Sequence, residues 1–234
     1  MSDLTELKRM AAARALEFVN DGMRLGLGSG TTSEIFHELL AARVRGGLNV
    51  VGVPTSERVA EKARTLGIAL AKLDDIAPLD LTVDGADETD GNLDLIKGGG
   101  AALLREKIVA ASSKKMLVIA DSRKLVPKLG RFPLPVEVLP FGQATTAARI
   151  ANAIAAIGYP RVPVTLRSKD GAPVKTDSGN LIYDCAFGVI TDAALLSATL
   201  SAVVGVVEHG LFVHIATTLV IAGSDGVRVI ERTE

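Results

Sequence analysis

MRLGLGSGTTSEIFHELL, residues Met23–Leu40, is the stretch on which the fold turns. Met23 to Leu27 is a short apolar run of strand length, and from Thr31 onward Ile35, Phe36, Leu39 and Leu40 recur at helical spacing. Between them lies Gly28-Ser29-Gly30-Thr31-Thr32, a glycine and hydroxyl loop placed where the free N–H groups of a helix N-terminus converge. The loop reads in two ways: as an anion site to which three hydroxyls add hydrogen bonds, or as a tight turn with an ordinary N-cap. It is a poor dinucleotide fingerprint, because Thr31 stands where the third glycine belongs and no acid ends the next strand, Asn49 to Val53. No Gly-Lys-Ser/Thr follows, so the Walker A pattern is missing as well. A phosphate monoester suits these residues better than a nucleotide.

Outward from this unit, strands and helices keep alternating. An amphipathic helix precedes it, capped by Ser2 or Asp3 and stopped by Asn20-Asp21-Gly22. After it come a helix from Glu57 to Leu66, short strands at 68–70 and 79–83, a helix from Ala101 to Ala111, and a strand from Met116 to Ala120 that ends at Asp121-Ser122-Arg123-Lys124. That order implies a parallel sheet whose ligands bind beyond the carboxyl ends of its strands, which puts both glycine-rich loops and Lys124 on one edge. From Leu125 the texture changes, as Pro127, Pro133, Pro135 and Pro140 punctuate the chain. Strand, helix, strand, strand, helix, strand then follow up to Glu208, the order of a ferredoxin-like α+β unit. Phe212 to Ile215, Leu219 to Ala222 and Val227 to Ile230 read as strands returning to the first domain. The expected fold is α/β, a Rossmann-like parallel-sheet domain (residues 1–130 plus 210–234) with a smaller inserted ferredoxin-like α+β domain (residues 131–209).

A second stretch carries the chemistry: VDGADETDGNLDLIKGGGAALLREK, Val83–Lys107. It places Asp84, Asp87, Glu88, Asp90 and Asp94 upstream of Lys97, three glycines, and a helical run bearing Glu106. Glycines weaken helices and strands unless the backbone must turn sharply or approach something closely, so this concentration of charge beside Gly98, Gly99 and Gly100 marks a site. For each residue a plainer role stands beside the chemical one. Glu106 is either a proton-transferring base or an exposed helix residue paired with a lysine. Lys97 and the amides of Gly98 to Gly100, near a helix N-terminus, either stabilise an oxyanion or are a surface charge and a turn. Asp84 and Asp87 either hold hydroxyl groups or cap a turn, and with Glu88 they leave Mg²⁺ as a minor alternative.

Composition narrows the partners. The chain has 234 residues, 48% hydrophobic and 3% aromatic, with no Trp, so its core is aliphatic. The 26 Lys and Arg against 27 Asp and Glu provide no global field for nucleic acid or an anionic membrane. Cys185 stands alone, which excludes an internal disulfide framework and fits a reducing compartment. His37, His209 and His214 lack zinc spacing, no signal-peptide pattern opens the chain, and no apolar run is long enough to span a bilayer. A cytoplasmic protein with a small-molecule partner is expected.

GLGSGTT, VDGADE, KGGGAALLREK, DSRKLV and FPLPVEVLP, together with a GLF and DGV tail, occur in the order and spacing of the type A ribose-5-phosphate isomerases, which the chain resembles along nearly its whole length. The resemblance implies a cofactor-free aldose-ketose isomerase interconverting D-ribose 5-phosphate and D-ribulose 5-phosphate, working as a homodimer or homotetramer. By motif it assigns the base to Glu106, with Asp84, Asp87 and Lys97 as polar companions. It assigns substrate contacts to Ser29, Gly30, Thr31, Thr32, the Asp84-Gly85-Ala86-Asp87 run, Lys97, Gly98, Gly99, Gly100 and Lys124. Ser29 stands where a Thr is common. Two other functions compete: an acyl-CoA transferase with Glu106 as nucleophile, and a non-catalytic sugar-phosphate sensor. Against the sensor, no helix-turn-helix segment precedes the first strand.

Overall fold

The computed structural model describes residues 4–232, so the expected caps Ser2 and Asp3 lie outside the described residues. Two compact units divide the chain, one formed by Met1–Ala86, Arg105–Leu125 and His214–Glu234, the other by Asp87–Leu104 and Val126–Val213.

The first unit is built on a seven-stranded sheet in the order Gly226–Glu231, Thr218–Gly223, Met116–Asp121, Leu81–Asp84, Arg24–Leu27, Val51–Pro54, Ala69–Leu70. Every neighbouring pair is parallel except the hairpin of Thr218–Gly223 with Gly226–Glu231. A parallel sheet is covered on both faces, which requires apolar runs rather than alternation. Met116–Asp121 and Thr218–Gly223 meet that requirement, being buried at every residue. Leu7, Ala11 and Ala15 of the helix Leu4–Leu16 share a core with Phe36 and Leu40 of the helix Thr31–Arg45 and with Leu25, Leu117 and Val220 of the sheet. Each large aliphatic or aromatic side chain buried there stabilises by about 1.5–3 kcal/mol relative to exposure. Val53, Leu79 and Val109 form a second, smaller cluster.

The second unit holds a four-stranded antiparallel sheet in the order Val206–His209, Leu134–Val138, Leu181–Cys185, Val164–Leu166. With the helices Gln143–Ala156 and Ala193–Ser201 between strands, this is the fourth-first-third-second order of a ferredoxin-like unit. Strand periodicity sets its core: Leu134, Val136 and Val138, with Leu181, Tyr183 and Cys185, cluster with Ile150, Ile154, Leu196 and Leu200. One expected strand lies elsewhere. Instead of returning to the parallel sheet, Leu211–Phe212 pairs antiparallel with Leu95–Ile96, which in turn pairs with Glu88–Thr89. Strands of two residues have no readable period, so only the partner sets this pairing.

Candidate active site

In the first unit the parallel strands deliver their C-terminal ends to one edge. Gly28 follows Arg24–Leu27 and donates its N–H to Val83 O at 3.0 Å, beside Asp84 at the end of its own strand. Glycine is required at 28 by proximity, since a Cβ there would stand 2.2 Å from Asp84 Oδ1 and 2.5 Å from Asp84 Cα. Asp84 is fully buried, and its Oδ1 accepts from Gly85 N at 2.7 Å and from Ser33 Oγ at 3.4 Å. The loop's next glycine, Gly30, is the N-cap of Thr31–Arg45 with φ 101°, a conformation that disfavours any side chain. Gly30 thus offers no side chain to cap the first amides of that helix, whose N-terminal partial charge lies at the strand ends.

The hydroxyls around this loop divide. Ser29 is buried in a network with Thr55 Oγ1 at 2.9 Å and Ser56 Oγ at 3.1 Å, the latter also capping the helix Glu57–Thr65 through Val59 N. The hydroxyl of Ser29 is thus engaged with neighbouring strand ends, whereas Thr31 is exposed and Thr32 half-buried. Lys8, which sequence reasoning missed, reaches from the first helix to donate to Thr31 Oγ1 at 2.7 Å. Nothing in its local sequence separates it from the other charges of that helix; only the helix packing brings it to the loop. Lys124 ends the 3-10 turn Ser122–Lys124, capped by Asp121, and is half-buried. Burial by itself would push the Asp121 carboxyl up, but the hydrogen bond and charge of Arg123, at 2.7 Å, outweigh it and hold the group below the usual range.

Glu106 lies in the first turn of Leu103–Ala111 and is only 4% exposed, which removes the plain reading as a solvated helix residue. Its neighbour Arg105 is bonded to Glu57 at 2.7 Å. Gly85 and Ala86, just past Asp84, are half-buried.

In the second unit Asp87, Lys97 and the glycines form one assembly. Asp87 N donates to Ile96 O at 2.9 Å, and Asp87 Oδ2 accepts from Gly99 N at 2.7 Å. Lys97 is 3% exposed, far from a surface charge; its N–H donates to Gly210 O at 2.8 Å and its ammonium sits 5.7 Å from the Phe212 ring centroid. Gly98 has φ 111°, and a Cβ there would meet Leu103 Cδ2 at 2.7 Å. The helix begins only at Leu103, so the glycine amides form a turn ahead of it rather than its N-terminus. Two other acids of the stretch are structural. Buried Glu88 accepts from Gly130 N at 2.8 Å and Phe132 N at 2.7 Å, and Asp90 Oδ1 accepts from Asn92 N and Asp94 N to close a turn. Among the described residues no group of three or more His, Cys, Asp or Glu side chains is placed to hold a metal ion.

Uncapped helix amides beside hydroxyls and a lysine suit a phosphate group, and buried carboxylates suit proton transfer. Fold and site together define an α/β enzyme acting on a small phosphorylated metabolite. The sequence profile of ribose 5-phosphate isomerase A (phosphoriboisomerase A) matches residues 51–226, and the chain belongs to that family. It is 57% identical over 229 residues to the ribose-5-phosphate isomerase A of Nitrobacter hamburgensis, covering 98% of this chain and 99% of that one. With the enzyme of Brucella suis it shares 54% identity over 233 residues and the full length of both. Among solved structures, the ribose 5-phosphate isomerase of Plasmodium falciparum superposes with a TM-score of 0.93 at 35% identity, over 98% of this chain and 100% of that one. A D-ribose-5-phosphate isomerase in complex with phospho-erythronic acid gives 0.92 at 37% identity, with coverage of 98% and 100%. These matches do not favour the transferase alternative.

Proposed function

We propose that this chain interconverts D-ribose 5-phosphate and D-ribulose 5-phosphate through an enediolate, with Glu106 carrying the proton between C2 and C1. Glu106 takes the C2 proton of the open-chain aldose, the electron pair forms the C1–C2 double bond, and the carbonyl oxygen takes up the negative charge. Return of the proton to C1, with the O2 proton passing to O1, gives the ketose. Nothing is oxidised or reduced overall, so the reaction calls for no cofactor. The observation that carries the assignment is the burial of Glu106 in the first turn of its helix. A carboxylate kept from bulk water can meet a substrate C–H proton without competition from solvent.

The remaining residues take roles by their chemistry. The Lys97 ammonium stabilises the enediolate oxygens, an interaction worth more where water is excluded. Asp84 and Asp87 hold sugar hydroxyls and assist ring opening. The phosphate falls to the amides of Gly30 to Thr32 with the Thr31 and Thr32 hydroxyls, Lys8 and Lys124. Ser29 supports that loop from beneath, and Gly85, Ala86 and Gly98 to Gly100 admit the substrate to the backbone. Assembly as a homodimer or homotetramer and residence in the cytoplasm belong to the same reading; light scattering measures the first and cell fractionation the second. No helix among the described residues is long and apolar enough to cross a membrane.

The test is Glu106→Gln, which keeps size and hydrogen bonding but removes basicity. Substrate binding is expected to persist while turnover falls by at least ~10²-fold, the low end for general base catalysis. In D₂O the native enzyme is expected to place deuterium at C1 of ribulose 5-phosphate. Near-native turnover by the Gln variant would refute the assignment of the base.

A further inference from the structure

The face of the four-stranded sheet turned away from the helices Gln143–Ala156 and Ala193–Ser201 carries an ion pair that the proposed chemistry does not use. Asp184 lies on the strand Leu181–Cys185, opposite Thr165 in register, and Arg167 stands two residues beyond Thr165 on the same side. Arg167 Nε and Nη2 donate to Asp184 Oδ2 and Oδ1 at 2.9 and 2.5 Å, a two-pronged pair that fixes the plane of the guanidinium. The Arg167 backbone is fixed as well, its N–H bonded to Ile182 O and its carbonyl to Val174 N. One donor remains. Nη1 points away from Asp184 and donates to Gly98 O at 2.7 Å.

That carbonyl belongs to the peptide whose N–H is on Gly99, and Gly99 N donates to Asp87 Oδ2 at 2.7 Å. The Gly98–Gly99 peptide is therefore held at both ends, by a cation on its oxygen and a carboxylate on its N–H. Such a chain is cooperative: a guanidinium on the carbonyl polarises the amide and makes its N–H a stronger donor to the carboxylate beyond. The loop also carries Ala101 at φ 61°, in the left-handed region that a residue other than glycine seldom adopts, so an external hold suits it. We propose that Arg167, oriented by Asp184, is a positioning residue that sets the Gly98–Gly99 peptide and through it the orientation of the Asp87 carboxylate. This rests on the reading of Asp87 as a residue that meets the sugar.

Steady-state kinetics on Arg167→Ala, Arg167→Lys, Asp87→Ala and the double variants, each checked for folding by thermal melting, tests the proposal. Arg167→Ala is expected to lower kcat about 10-fold with KM within about 2-fold, because the residue acts through Asp87 and not on the substrate. Arg167→Lys keeps a cation able to reach Gly98 O but loses the fork, and is expected to recover part of that loss. In an Asp87→Ala background, Arg167→Ala is expected to cost nothing further. If Arg167→Ala does not fold, Arg167→Lys carries the same cycle with a fall of about 3-fold. A slow Asp87→Ala with an unimpaired Arg167→Ala, or losses that multiply independently in the double variant, overturns the positioning role alone. Full turnover by Asp87→Ala overturns the site reading together with it.

Discussion

His37 makes the acid stability of this protein predictable. It sits on the helix Thr31–Arg45, fully buried, with neither ring nitrogen hydrogen-bonded among the described residues and its ring 6.1 Å from that of Phe36. Burial, reinforced by the Lys62 charge and partly opposed by Glu38, lowers its pKa from 6.5 to about 4. Between those values the unfolded chain holds a proton that the folded chain refuses. Stability therefore rises with pH through that window and is lost as the pH falls from 6.5 towards 4, the reverse of a histidine that gains an acidic partner. Integrating the two titrations gives a penalty of about 2 kcal/mol at about pH 5, and almost none at about pH 7.5. His37→Leu removes the titrating group and is close in volume. At the higher pH it is expected to be neutral to stabilising by about 1 kcal/mol, because an unpaired buried polar group is exchanged for an apolar one. At about pH 5 its advantage over the native protein is expected to be larger by the further ~2 kcal/mol. Urea denaturation of both proteins at the two pH values measures the difference, with all other titrating groups common to both. An advantage equal at the two pH values would refute the reasoning, since it would mean that His37 titrates alike in folded and unfolded chains.

Gly28→Ala is expected to abolish most turnover and to lower the thermal midpoint, because the added Cβ would stand 2.2 Å from Asp84 Oδ1; kinetics and melting check it, and a fully active variant would show that the carboxylate position is immaterial. Lys8→Ala is expected to raise KM for ribose 5-phosphate by a factor corresponding to ~1–3 kcal/mol, the range for a hydrogen bond to a charged group, while leaving the turnover of free ribose unchanged. An equal effect on both substrates would remove Lys8 from phosphate recognition. Activity is expected to survive exhaustive EDTA treatment, because Glu88 is spent on the amides of Gly130 and Phe132 and Asp87 Oδ2 on that of Gly99. Loss with chelator, restored by Mg²⁺, would contradict this.

What the sequence determined by itself was whatever depends on near neighbours. The strand, glycine loop and helix of Met23–Leu40 were legible because an apolar run, a positive-φ glycine and a 3.6-residue period are local properties, and the structure has them at Arg24–Leu27, Gly30 and Thr31–Arg45. The order of strands and helices after Leu125 was legible for the same reason and led to the ferredoxin-like arrangement. Tertiary structure decided which of several alike residues does which task. Asp84, Asp87, Glu88 and Asp90 are chemically near-identical in the chain, yet one is buried against a glycine, one binds a loop amide, one fastens Gly130 and Phe132, and one closes a turn. Lys8, Arg167 with Asp184, and the pairing of Leu211–Phe212 with Leu95–Ile96 were equally hidden. Each is a hydrogen bond between residues distant in sequence, and no local periodicity records which distant strand or helix will be packed alongside.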